Sequence, residues 1–424
     1  MAAMTSTTTA PARPVPHATR RFRLTPRLAF WFSAAVIGVV FAGSAVVSPL
    51  YRVYQERWHF SPISLTAVFA VYAIAVLAVL LIAGSLSDHI GRRPMMALAL
   101  ASEVVSAWLF LSAQGVGALY AWRILQGVAT GAAASAAGAA LLDLQPAHKP
   151  TAASTVNAIA SSVSLAAGAL GAGLLVQYAP APTRLVFWLL LAASLAGLAV
   201  VAFMDEPGAK RPIGLGVLRP RAGIPPAARG AFLAALPALI ATWALGGLYF
   251  SLAPSLTEQL ARSNDAVWGG LVIFLLCAPS ALASFLIREL HPSRAMVAGS
   301  AVLAVGSAAT VAAVLERSNS GLLASTAVAG VGFGMAFLGA FRHLVSLATD
   351  DQRGALVATI YIVSYLAFSL PVIAAGVATD HFGLRSTAVV YGAVVAAFAT
   401  LAAAAERIQM QVSRRSSESW ISDR

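Results

Sequence analysis

The sequence predicts an all-α membrane protein, with twelve transmembrane helices in two pseudo-symmetric six-helix bundles. Three observations carry that prediction. Hydrophobic residues make up 59% of the 424-residue chain and charged residues only 10%, against about 25% charged in a soluble domain. Apolar runs of about 20 residues, enough to cross roughly 30 Å of hydrocarbon, recur along the whole length. The second half of the chain then repeats glycines of the first at a constant spacing.

The first six runs are 28–50, 62–85, 95–114, 118–142, 152–178 and 185–204. They follow a Thr/Pro/Arg-rich tail, 1–27, which reads as disordered. The first run is too long for the apolar core of a signal peptide, so it is read as an uncleaved helix. From 205 to 229 the pattern breaks: five prolines alternate with Lys210, Arg211, Arg219, Arg221 and Arg229. Such a stretch cannot span and reads as a cytoplasmic linker. Six more runs follow at 231–256, 267–287, 295–315, 321–341, 355–379 and 386–405, within a second bundle at 230–405. A tail, 406–424, closes the chain. Gly127-Val128-x-x-Gly131 in run four matches Gly330-Val331-x-x-Gly334 in run ten, and Gly173 in run five matches Gly376 in run eleven. All three glycines are displaced by 203 residues, as a duplicated unit requires. Small residues let helices approach closely in lipid.

The net charge of +12 suggests nucleic acid until the charges are placed. With the N-terminus inside, 21 of the 28 Lys and Arg fall in inside segments. That bias puts both termini in the cytoplasm of a cytoplasmic (inner) membrane, with the basic surplus facing the lipid bilayer. No nucleic-acid partner is expected. Cys277 stands alone in run eight, so neither a disulfide nor a Cys-based metal site is available. All seven histidines sit in tails, loops or helix ends, and no phosphate-cradling Gly-x-x-x-x-Gly-Lys-[Ser/Thr] occurs. Hence no metal, no cofactor, no ATP-driven step and no enzyme activity are expected.

The densest information lies between runs two and three, in Gly84-Ser-Leu-Ser-Asp88-His-Ile-Gly91-Arg92-Arg93-Pro94. An acid, a histidine and two arginines occupy what reads as a short loop, and its glycines permit a tight reversal. Gly84-x-x-x-Asp88-x-x-Gly91-Arg92-Arg93 resembles the cytoplasmic signature of the major facilitator superfamily, bacterial and twelve-helix in type. Arg123-x-x-Gln126-Gly127 resembles that superfamily's fourth-helix motif. A further echo, Gly376-x-x-x-Asp380-x-x-Gly383-x-Arg385, falls in an outside loop. The resemblance implies the facilitator fold and a substrate site between the halves near the midplane. It also implies a cytoplasmic gate of Gly84, Asp88, Gly91, Arg92 and Arg93, networked with Asp143 at the inner end of run four. The counterpart loop, Arg288–Arg294, keeps its charges and has lost the glycine frame. Drug antiporters of the superfamily carry a Gly-Pro signature in helix five. Here Gly168-x-x-Gly171-x-Gly173 lacks the proline, and run one lacks the carboxylate common in proton-coupled exporters.

Glu103 is the one acid placed mid-span. A carboxylate there needs a proton or a partner, so it is either a proton carrier or a hydrogen-bonding brace to the next helix. Arg123 is open to three roles: holding an anionic substrate, coupling to protons, or snorkelling to the interface. Gln126, one turn deeper, is a candidate cavity liner. Phe333, Phe337 and Phe341 share one face of run ten, Tyr361 and Tyr365 one face of run eleven, and Trp243 and Tyr249 lie in run seven. These aromatics either pack helices together or wall a cavity suited to an apolar or aromatic solute rather than a sugar.

The function expected is secondary active transport of a small organic molecule by alternating access, with proton-coupled efflux of an amphipathic compound favoured and a monomer as the working unit. Metabolite uptake or facilitated uniport is the alternative. A non-transporting membrane sensor is the alternative of another class, and the short tails and linker argue against it.

Overall fold

The computed structural model describes residues 23–149, 151–208 and 222–422. Among these are thirteen α-helices and no strand. They are α1 (Pro26–Trp58), α2 (Pro62–Ile90), α3 (Arg92–Leu111), α4 (Val116–Leu144), α5 (Ala152–Tyr178), α6 (Leu185–Val201), α7 (Arg229–Ser251), α8 (Ala253–Ala261), α9 (Val267–Leu286), α10 (Pro292–Leu315), α11 (Asn319–Ser346), α12 (Asp350–Phe382) and α13 (Leu384–Ser422). Eleven helices are long and apolar enough to cross a membrane, and α6, with 17 residues, falls just short of that length. Short α8 follows the seventh span, which ends at Ser251. The twelve-span all-α membrane fold follows.

Helix starts obey simple chemistry. Thr25, Ser61 and Ser318 each turn a side-chain oxygen to an amide of the first turn, and Pro26 and Pro62 occupy the first helical position. Helix lengths differ from the apolar runs where polar residues extend a span. Thus α1 continues eight residues beyond position 50, and α13 stays helical through the segment expected to be a tail. The expected disordered tail lies largely outside the described residues, as does 209–221 of the linker. The linker's end is ordered on α12, where Gly223 N donates to Thr359 Oγ1 at 2.9 Å.

The glycine spacing has a direct structural meaning. A Cβ at Gly127 would sit 2.7 Å from Tyr72 O of α2, and one at Gly330 would sit 2.4 Å from Leu276 O of α9. Gly131 and Gly334 repeat the pattern one turn on, against Val76 O and Ser280 O. Each glycine pair therefore seats the fourth span of its half on the second. Gly173 and Gly376 instead serve the two seams between halves: α5 on α9, at Ala266 O, and α12 on α2, at Ile63 and Thr66. Any side chain at these points overpacks the contact, at a cost of about 1–3 kcal/mol.

The start of α1 and the ends of α2, α4, α6, α9, α11 and α13 share one face, called here the near face; the opposite helix ends form the far face. Two loops on opposite faces are built alike. Gly91 (φ 108°) ends α2 on the near face and Gly383 (φ 80°) ends α12 on the far face, a backbone region that favours glycine. Two residues on, Arg93 donates to Val201 O and Ala202 O at the end of α6 (3.1 and 2.8 Å). Arg385 likewise donates to Val314 O and Leu315 O at the end of α10. Each arginine adds a donor at helix-end carbonyls, of which Val201 O and Val314 O also accept from the amides of Met204 and Arg317.

Candidate functional site

Between the halves lies a cavity of about 1280 Å³, lined by α1, α2, α4 and α5 on one side and by α7, α9, α11 and α12 on the other. It reaches the near face at Asp88, His89, Arg288, Glu289 and Arg342. Towards the far face it stops at the glycine seams, where Gly173, Gly270 and Gly376 bring backbones together.

The two walls differ in chemistry. On one side α5 presents Ser154, Asn157 and Ser161, a polar stripe at helical spacing in an otherwise apolar span. On the other, Trp243 of α7 meets Phe337, Tyr365 and Phe368 with ring centroids 5.4, 4.8 and 5.6 Å apart. Phe333, Phe341 and Tyr361 complete that wall. Among the described residues the indole N–H of Trp243 has no acceptor, and it is buried within the aromatic wall.

Trp243, Phe333, Phe337, Tyr361 and Tyr365 therefore all face the cavity. Tyr249 does not. Six residues along a helix turn it through about 600°, a third of a circle from Trp243. Its hydroxyl is buried in the second half, 2.9 Å from Thr326 Oγ1 and 3.4 Å from Thr310 Oγ1. Gln126 is also absent from the wall. It lies behind it, where its amide donates to Gly43 O (2.9 Å) and Glu103 Oε1 (3.4 Å).

Arg123 is fully buried and turned inward, which corrects the snorkelling alternative. Its guanidinium donates to Gln126 Oε1 and to Ser44 O (3.2 Å) and lies over the Tyr72 ring, 4.3 Å from the centroid. These partners replace water, so the cation has no need to reach the interface. Glu103 on α3 stands behind this group. One carboxylate oxygen accepts from Gln126, and the other has no partner among the described residues. Gly43 of α1 makes room for it, since a Cβ there would lie 2.3 Å from Glu103 Oε1. Glu103, Gln126 and Arg123 form one hydrogen-bonded line from the interior of the first half to the cavity.

The expected loop from Gly84 to Pro94 is nearly all helix, another correction. α2 runs through Gly84 and Asp88 to Ile90, and only Gly91 separates it from α3. One glycine at positive φ suffices for the reversal, and Pro94 sits in the first turn of α3, where a missing N–H costs little. Arg92 pairs with Asp88 and, through Nε, with Asp143 Oδ2 at 3.1 Å. Glu206, which no motif signals, accepts from the amides of Arg92 (2.6 Å) and Arg93 (3.2 Å) and so caps α3. Apart from Glu206, at the start of the linker, these partners all belong to the first half.

The far face carries a cluster that bridges the halves. Arg52 of α1 donates to Glu258 of α8 (2.5 Å), to Asn264 Oδ1 (2.7 Å) and to Glu56 of its own helix (3.0 Å). Its members are 206 and 212 residues apart, so no local motif signals it. Among the described residues no group of three His, Cys, Asp or Glu is placed to hold a metal ion.

The sequence matches the family model described as Major Facilitator Superfamily over residues 30–370. The chain belongs to the major facilitator superfamily. Solved structures with the same fold include the human organic anion transporter TETRAN, at 17% identity and TM-score 0.58, covering 90% of this chain and 100% of that one. A D-xylose-proton symporter aligns at 17% identity and TM-score 0.68, covering 88% and 97%. A POT family transporter in complex with 5-aminolevulinic acid aligns at 10% identity and TM-score 0.70, covering 88% and 94%. A comparison with curated proteins finds no match. Family membership makes this facilitator a membrane transporter rather than an enzyme.

Proposed function

We propose that this facilitator is a proton-coupled exporter of a small amphipathic compound, working as a monomer by alternating access in the cytoplasmic membrane. The observation that carries the reading is the one-sided cavity with unlike walls. An aromatic wall with one unsatisfied indole N–H faces a stripe of hydroxyl and amide groups, which suits a solute with an apolar face and a polar edge better than a sugar. The positive-inside bias supports a cytoplasmic near face, so the cavity is entered from inside. The line Glu103–Gln126–Arg123 supplies the coupling site, because a carboxylate with one unpaired oxygen can gain or lose a proton without breaking its bond to Gln126.

The cluster of Asp88, Arg92, Arg93 and Asp143 is the near-face gate. In this inward-open form its bonds stay within the first half. When the near face closes, Asp88 at the cavity rim meets the second half, and that differential contact biases the two states. The deciding experiment uses proteoliposomes with an imposed pH gradient and a panel of fluorescent amphipathic cations, anions and neutral compounds. Transport of at least one compound against its gradient, abolished by collapsing the pH gradient, is expected. Flux that never exceeds equilibration for any compound refutes coupling and leaves a uniporter.

A further inference from the structure

Glu258 is the most buried acid of the far face, with a side chain only 1% exposed. It is placed by backbone geometry as well as by charge. α8 begins at Ala253 with Pro254 in its first turn and carries Glu258 under α9, where Gly269 leaves room for it; a Cβ there would lie 3.3 Å from Glu258 Oε1. Beside it opens a far-face hollow of about 540 Å³, lined also by Arg52, Glu56 and Arg262, which connects the cluster to solvent on that side.

The charges do not balance. From α1 the carboxylate faces Arg52 and Glu56, and from the turn after α8 it faces Arg262 and Asp265. α9 carries no charged residue, α11 has none in its far-face half, and Arg385 of α13 is spent on carbonyls of α10. The one guanidinium within hydrogen-bonding distance is shared with Glu56 and Asn264. A buried carboxylate holding a share of one cation is stabilised less than it is desolvated, and neutralisation relieves the deficit. Because Arg52 and Glu258 belong to different halves, parting the halves takes Arg52 away and opens the α1 side of the carboxylate to solvent, while α9 of its own half stays beside it.

We propose that Glu258 is a proton-binding gate residue, which takes up a proton from far-side solvent as the halves close there and returns it when they part. The inference rests on the alternating-access reading above. The carboxylate becomes a neutral carboxylic acid on closing, and its hydroxyl hydrogen goes back to water on opening. Nothing else is gained or lost.

Burial, opposed by Arg52, holds the Glu258 carboxyl at about 7 in the closed form against an ordinary 4.5. The form with the higher pKa binds more protons, so acid favours closure. If the open form returns to the ordinary value, the closed-to-open ratio falls on the order of thirtyfold between about pH 5.5 and about pH 8. The state with the far face closed is therefore the acid state.

The test uses spin labels at Gln114→Cys and Ser320→Cys, exposed far-face positions on opposite halves, in the full chain carrying Cys277→Ser. Distance distributions are recorded at both pH values. A longer distance that gains population at the higher pH is expected in the parent chain. In Glu258→Gln the pH response should vanish with the face closed, because glutamine copies the protonated acid. In Arg52→Gln the response should move to higher pH, because the opposing cation is gone. A parent-like pH response in Glu258→Gln overturns the proposal and leaves alternating access standing. A single distance in every condition, including added transported compound, overturns alternating access and the proposal with it.

Discussion

Consider Gly376→Ala, a change of one methyl group on the seam between α12 and α2. The added carbon would start 2.0 Å from Thr66 Oγ1 and 3.0 Å from Ile63 Cα. Ordinary contact between such atoms needs about 3.5 Å or more. Thr66 can rotate away, but Ile63 Cα is backbone, so α12 has to withdraw by about half an ångström or more. Overpacking of this kind costs about 1–3 kcal/mol, and it is charged only to the state in which the far face is shut. The closed-to-open ratio should therefore fall about five- to 150-fold. Ser284→Cys, on the cavity wall, reports the change in a Cys277→Ser background: a membrane-impermeant thiol reagent applied at the near face should label it more slowly in Gly376→Ala, by at most the factor by which the ratio falls. Adding Thr66→Ala removes the nearer obstacle and should restore part of the rate. An unchanged labelling rate together with an unchanged thermal midpoint would refute the assignment of this seam as state-defining.

Other outcomes follow from the same geometry. Glu103→Gln keeps an acceptor for Gln126 but cannot exchange a proton, so accumulation driven by a pH gradient should disappear while substrate counterflow persists. Tyr249→Phe removes a hydroxyl from the core of the second half and should cost about 0.6–1.7 kcal/mol in thermal unfolding, with KM unmoved. Trp243→Ala should do the reverse, raising KM about two- to tenfold through lost ring contacts. Arg93→Ala and Arg385→Ala each remove two hydrogen bonds to helix-end carbonyls, and both should lower stability by about 1–2 kcal/mol after allowance for partial exposure, measured by unfolding in detergent.

The twelve spans and the duplication were legible because lipid imposes length and apolarity on every span, and because close backbone approach at Gly127, Gly330 and their partners tolerates no side chain. The aromatic wall was legible from helical spacing on α11 and α12. The phase of Tyr249 relative to Trp243 was readable too, since six residues place them on different faces. The hydroxyl stripe of α5 was equally present at positions 154, 157 and 161, and needed only to be weighed as a wall. Other features had no sequence signal. Glu206 caps a helix more than a hundred residues away, and Arg52 meets Glu258 only because two bundles close at one end. Such pairings depend on tertiary placement, which hydropathy and spacing do not encode.

The cavity's volume bears on what can cross and what can jam it. At about 1280 Å³ it exceeds the 300–1,000 Å³ pocket that typically wraps a drug-sized ligand. Its hydroxyl wall moves with one half and its aromatic wall with the other, so a cargo must be small enough for the walls to converge around it. A larger molecule with the same chemistry, able to touch both walls at once in the open form, would wedge the halves apart and hold the near face open. Cargo and blocker would then differ in bulk rather than in functional groups, and lengthening a transported compound stepwise should turn it, at one definite size, into an inhibitor.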